Sequence, residues 1–201
     1  MSRFPGLPEN TNLSDVFQAF PGGAAPLLEF HDIVLRKSSP LSVAQRELIA
    51  ALVSGLNDCQ FCFGAHSIIA ESFGINSDLF AQLLNDIDSA EVEDDLKPLL
   101  AYVKKLTLTP SRMTDADAQR VFDVGWSEQA LHDAVTVCAL FNFMNRIVDG
   151  HGVVTNDAIQ SGQRERAAKN AKQAESPTSY RDYGRMIGVY PGEPGEDNKI
   201  G

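Results

Sequence analysis

No stretch of this 201-residue chain comes near twenty consecutive apolar residues, so the sequence offers no helix that would cross a bilayer. Its first residues, Met1 to Pro8, lack the apolar core of a secretion signal, and the expected location is the cytoplasm. Basic residues are scarce. Seventeen Lys and Arg stand against 27 Asp and Glu, a formal charge of −10, and no run of Lys or Arg is interleaved with aromatics. That balance repels polyanions and excludes nucleic acid and anionic membrane surfaces as expected partners. Cysteine is scarce too. Three is an odd number and too few to staple a disulfide scaffold, so the thiols serve redox chemistry, a metal or packing. The acidic stretch from Asp86 to Asp95 lacks the turn glycine and the regular ligand spacing of a calcium loop, and it reads as a solvated helix start. No internal repeat marks the chain as a solenoid.

What is present is helix. With 43% hydrophobic residues the chain can bury a real core, as one domain or one domain with a tail. Residues 1–26 hold turn signals such as Pro21-Gly22-Gly23 and read as an irregular arm with a short helix around Leu13 to Phe20, suited to lie on a neighbouring subunit. Residues 27–155 form the helical domain. Its segments are 27–36, 43–56, 59–73, 76–87, 96–108, 114–124 and a long helix capped by Ser127. Residues 156–201 read as a polar helix followed by an irregular tail whose aromatics, Tyr180, Tyr183 and Tyr190, pack on the body of this subunit or a partner. The expected fold class is all-α, a bundle of seven or eight helices with a helical hairpin at its centre. The long helix carries Gln129, His132, Asp133 and Thr136 on one face and then Asn142, Asn145 and Asp149 on nearly the opposite one. It therefore crosses between two environments, the hairpin at one end and another subunit at the other. His132 and Asn142 are candidate pocket residues, with buried hydrogen-bonding side chains as the ordinary alternative. His31 reads as a surface or satisfied core histidine before it reads as a pocket residue, and Cys138, alone on an apolar helix, reads as packing.

The chemistry concentrates between Glu47 and His66. Asn57 or Asp58 can cap a helix that runs through Cys59, Cys62 and His66 and stops at Gly74, a residue suited to a left-handed cap. At 3.6 residues per turn those three side chains fall within an arc of roughly 60°. Both cysteines lie in the first turn, where free backbone N–H groups and the helix dipole favour a thiolate, and His66 is one turn beyond Cys62. A nucleophile thus stands beside a base. The preceding helix, capped by Ser42, is apolar nearly all round. Gln45 and Arg46 fall on its wet side, and Glu47 falls among small residues where burial would raise its pKa and suit it to carrying a proton. Helix geometry leaves open which cysteine attacks, because Cys59 lies nearer the helix terminus and Cys62 nearer the imidazole.

The spacing Glu47-x11-Cys59-x2-Cys62-x3-His66 resembles the signature of the alkylhydroperoxidase D-like branch of the carboxymuconolactone decarboxylase family. The flanking residues Ser39 to Ser42 and the pair Asn145-Arg146 resemble its peroxidase-related members, and the likeness covers residues 25–155. The resemblance implies an all-α, homo-oligomeric thiol peroxidase that needs no cofactor or metal. In that scheme Cys62 attacks the peroxide substrate, Cys59 resolves the sulfenic acid as a disulfide, Glu47 and His66 relay protons, and an unidentified thiol or dithiol is the reductant. Gln60 and Phe61 stand where some members carry a further histidine, which implies a weaker relay. Three alternatives remain at this level. One is a decarboxylase or lactone-acting enzyme of the wider family. Another is a zinc site built from Cys59, Cys62, His66 and Glu47, and the last is a helical oligomer whose cysteines only pack.

Overall fold

The structure, a computed structural model, describes residues 3–155, 159–162, 164–165 and 175–191. Among these residues it is all-helical, with no strand. In chain order the helices are α1 (Leu13–Ala19), α2 (Ala24–Arg36), α3 (Val43–Leu56), α4 (Gln60–Ser72), α5 (Asp78–Asn85), α6 (Leu96–Leu108), α7 (Asp115–Asp123), α8 (Glu128–His151) and α9 (Ser179–Met186). Most of the helix expected after residue 155 lies outside the described residues; 159–162 and 164–165 are helical.

α3 lies at the centre, as its apolar wheel requires. Leu48, Ile49, Ala50, Ala51 and Val53 are all fully buried, and the helix touches α2, α4, α5, α6 and α8. Its start is fixed by a capping box. The Ser42 hydroxyl accepts from the Gln45 backbone N–H at 3.1 Å, and the Gln45 side chain accepts from the Ser42 N–H at 2.9 Å. Its end determines where the thiols sit. Asp58 takes the left-handed conformation, φ 56°, so that the Asp58 N–H reaches Gly55 O at 3.0 Å and the Cys59 N–H reaches Ser54 O at 2.9 Å. That closure spends the Asn57-Asp58 pair on ending α3. Cys59, rather than Asn57 or Asp58, is therefore the N-cap residue of α4. Gly55 lets the hairpin close tightly, because a Cβ there would meet Leu84 Cδ2 at 2.9 Å and Phe63 Cδ2 at 3.1 Å.

Arg46 is not on a wet face. It is buried and donates to Val34 O at 3.1 Å and Lys37 O at 2.8 Å, two carbonyls at the C-terminal end of α2. A guanidinium suits that site, since it satisfies orphan carbonyls and the negative end of the dipole together. It also ties the end of α2 to α3.

α1 and the segment 175–191 fold onto this subunit's own body. α1 buries Val16 and Phe17, and the Val154 N–H donates to Thr11 O at 3.0 Å. The tail expected to be irregular contains α9, which packs on α2. Asp32, almost fully buried, accepts from the Tyr180 N–H at 2.8 Å, the Arg181 N–H at 3.2 Å and Arg181 Nε at 2.9 Å. A carboxylate from α2 thus caps α9 from outside, a pairing that no local pattern encodes. Gly184 permits the approach: a Cβ there would stand 2.7 Å from Leu28 Cδ1.

Candidate active site

Glu47 and His66 meet across the hairpin. His66 Nδ1 lies 2.6 Å from Glu47 Oε2, and the carboxylate is wholly buried. Its other oxygen is 2.6 Å from Arg36 Nη1, at the end of α2. Burial pushes the Glu47 pKa up. The Arg36 guanidinium, and after it His66, overcome that push and hold the group at about 2. The raised value expected from its apolar helix is therefore reversed, because a long-range cation answers the carboxylate. Ionised Glu47 can only accept, so His66 Nδ1 carries the proton and donates it, and Nε2 is left as the basic atom. Glu47 orients and polarises the imidazole; it does not ferry protons at neutral pH.

Cys59 and Cys62 are both buried and both free thiols. They form a small cluster with Val148 of α8. The hydrogen bond between them sets their acidity. Cys59 is lowered, chiefly because the Cys62 side chain donates to it, and Cys62 is raised by that same bond and then by burial. The easier ionisation therefore belongs to Cys59, the cysteine nearer the helix terminus. Asn145, fully buried on α8, is a further hydrogen-bonding neighbour of Cys62. Its side chain donates to Ser54 Oγ at 3.0 Å and accepts from Asn57 Nδ2 at 2.8 Å.

Cys62 and His66 open onto a cavity of about 240 Å³. Most of its wall is apolar, from Leu13 and Phe17 of α1, Leu28 of α2, Ile69 of α4, and Phe141 and Met144 of α8. Phe141 sets its ring edge-on to His66, with centroids 4.3 Å apart. Arg36 and His31 of α2 and Ser179, Tyr180 and Tyr183 of α9 also line it. Cys59 does not reach the cavity, so access and acidity fall on different cysteines of the pair.

The other candidates separate clearly. His31 is both satisfied and at the cavity: its Nδ1 is 2.8 Å from Leu27 O, and burial lowers its pKa to about 4, so it is neutral at pH 7. Asn142 lies in the polar seam between α3 and α8, where it accepts from Asn57 Nδ2 at 3.1 Å and donates to Cys138 O at 3.0 Å. His132 is exposed beside Asp133 on another face. Cys138 is buried against Thr107, 3.3 Å from its hydroxyl. The pair Glu47 and His66 is turned inward on itself and on Arg36, and among the described residues no group of three His, Cys, Asp or Glu side chains is arranged to hold a metal.

Sequence reasoning missed Arg36, Ser179 and Tyr180. One signal pointed toward the first: a carboxylate inside an apolar helix requires a cation, and Arg46, Lys37 and Arg36 are the nearest in sequence. The aromatics of α9 point to packing on the body, but nothing local places them at this cavity.

No family model matches the chain, and no curated protein matches it by sequence. Solved structures do. An uncharacterized peroxidase-related protein from Silicibacter sp. TM1040 is similar at 22% identity and a TM-score of 0.62, over 67% of this chain and 71% of that one. An uncharacterized peroxidase-related protein from Ralstonia eutropha JMP134, described as an alkylhydroperoxidase AhpD core, is similar at 21% identity and a TM-score of 0.67, over 74% and 78% of the two chains. This chain has the alkylhydroperoxidase D-like helical fold.

Proposed function

We propose that this protein is a thiol-dependent peroxidase that works through Cys59 and Cys62. The observation that carries the reading is a free thiol, Cys62, sharing a cavity wall with an imidazole whose tautomer is set by an ionised carboxylate. The names of the two structural neighbours point the same way. In the proposed step the Cys62 proton passes to Cys59 or to His66 Nε2, and the sulfur attacks the terminal oxygen of a hydroperoxide. The S–O bond forms, the O–O bond breaks, and the departing alkoxide takes up the proton as alcohol. Cys59 then attacks the sulfenic acid, water leaves, and the Cys59–Cys62 disulfide closes. An external thiol or dithiol returns the pair to its reduced form.

Single turnover tests this. Reduced protein with excess cumene hydroperoxide is expected to consume one peroxide per chain and lose two of its three thiols, measured by peroxide assay and thiol counting. Three thiols remaining after prolonged exposure would sink the reading.

We also infer that the working form is a homo-oligomer. Phe30 and Ile33 on α2 and Phe143 on α8 remain substantially exposed, an apolar display that a second copy would cover. Light scattering should give a mass that is a multiple of 21.9 kDa; a monomer at micromolar concentration contradicts it.

A further inference from the structure

The cavity carries polar groups that the thiol chemistry does not use. Arg36 Nε and Ser179 Oγ are buried with no hydrogen-bond partner, and Tyr180 Oη, buried beside the Arg36 guanidinium, has none of good geometry, although buried polar atoms in folded proteins nearly always have a partner. All three belong to residues that line the cavity. Arg36 Nε can only donate. The Tyr180 ring lies 5.2 Å from the Arg36 guanidinium carbon, and its hydroxyl stands near that cation, so the lone pairs face positive charge and the O–H is left to give. Burial, with Glu47 adding to it, pushes the Tyr180 pKa far above the usual phenol range and keeps that proton in place. Arg36 and Tyr180, adjacent residues of a largely apolar cavity wall, thus each carry a buried donor that no acceptor satisfies.

The charge balance selects the ligand. Arg36 is already matched by Glu47, and His31 is neutral. An anion would enter without a free cation to meet it, a costly burial. An uncharged oxygen has no such penalty. The volume suits a ring with a small substituent, since an apolar cavity of roughly 150 Å³ already holds benzene.

We propose that Arg36 Nε and Tyr180 Oη form a hydrogen-bonding subsite, roofed by α9, that holds the oxygen of an uncharged and mainly apolar organic molecule. The subsite names the organic part of the substrate that the peroxidase reading leaves open and rests on that reading for its part in turnover. Its binding chemistry does not require a peroxide: an alcohol, a ketone or a hydroperoxide presents the needed acceptor.

The test is binding of unreactive probes to the reduced full-length protein by ligand-observed NMR. 2-Phenyl-2-propanol carries the oxygen, isopropylbenzene lacks it, and benzoate carries it as an anion. The ratio of hydrocarbon Kd to alcohol Kd is expected to fall about 5-fold in Tyr180→Phe, the worth of one hydrogen bond, with hydrocarbon binding unchanged. Benzoate is expected to bind more weakly than the alcohol. An unchanged ratio makes Tyr180 a wall only and overturns the proposal, as does the absence of alcohol binding or tighter binding of benzoate. Cumene hydroperoxide is assayed on the same sample. Alcohol binding that follows the expected pattern in a protein whose thiols resist the peroxide would leave the subsite standing and remove the peroxidase reading, so the two failures are distinguishable.

Discussion

Arg36→Met is expected to lose about 3–5 kcal/mol of folding stability at pH 8, because it leaves a wholly buried carboxylate facing only a histidine. For a domain whose total stability is about 5–15 kcal/mol this is a large fraction. The deficit has a sign that changes with pH. In the wild type Glu47 is held at about 2, below its ordinary 4.5, so its contribution is full above pH 4.5 and is lost as pH falls from about 4.5 to about 2. Without the guanidinium, burial prevails and the folded-state pKa rises above 4.5. The contribution is then full below pH 4.5 and is lost as pH rises through the new value. Urea denaturation at pH 5 and pH 8 should therefore show a smaller deficit at pH 5. Adding Glu47→Leu to Arg36→Met should restore much of the loss, since two apolar side chains replace an ion pair with no charge stranded. A deficit under about 1 kcal/mol that is equal at both pH values would mean that the pair does not carry this load.

Cys62→Ser is expected to abolish oxidation by cumene hydroperoxide, while Cys59→Ser is expected to react once and stop at a sulfenic acid on residue 62. Acidity and access disagree in this pair. Cys59 ionises more readily but lies behind the cavity wall, and Cys62 lines the cavity but holds its proton. Access prevails because a proton can move along an existing hydrogen bond far faster than a buried sulfur can be uncovered. Dimedone trapping with intact mass measurement checks it. A trapped sulfenic acid in Cys62→Ser exchanges the two roles. Cys138 should survive in every variant, since it is buried against Thr107 and its pKa is raised by burial.

The helices were largely legible in the sequence, because their signals are local. Ser42 and Ser127 cap α3 and α8 as read, and the apolar wheel of α3 placed it at the centre. Gly74 does take a left-handed conformation, φ 96°. The error at the start of α4 was also local. Asp58 was read as a cap for the following helix, but its left-handed backbone closes the preceding one. One residue cannot do both, and the cap passed to Cys59.

The sequence by itself determined which groups share a turn: the two thiols and the imidazole of α4, with a carboxylate one hairpin away. Helix periodicity fixes such relations within a few residues. Their protonation was decided only by the tertiary structure. Arg36, eleven residues before Glu47, reversed the direction of its pKa, and Tyr180, more than a hundred residues further along, closed the cavity with a donor that no spacing predicts. A pKa depends on every charge within a few ångströms and on exclusion of water, and both depend on how distant segments meet.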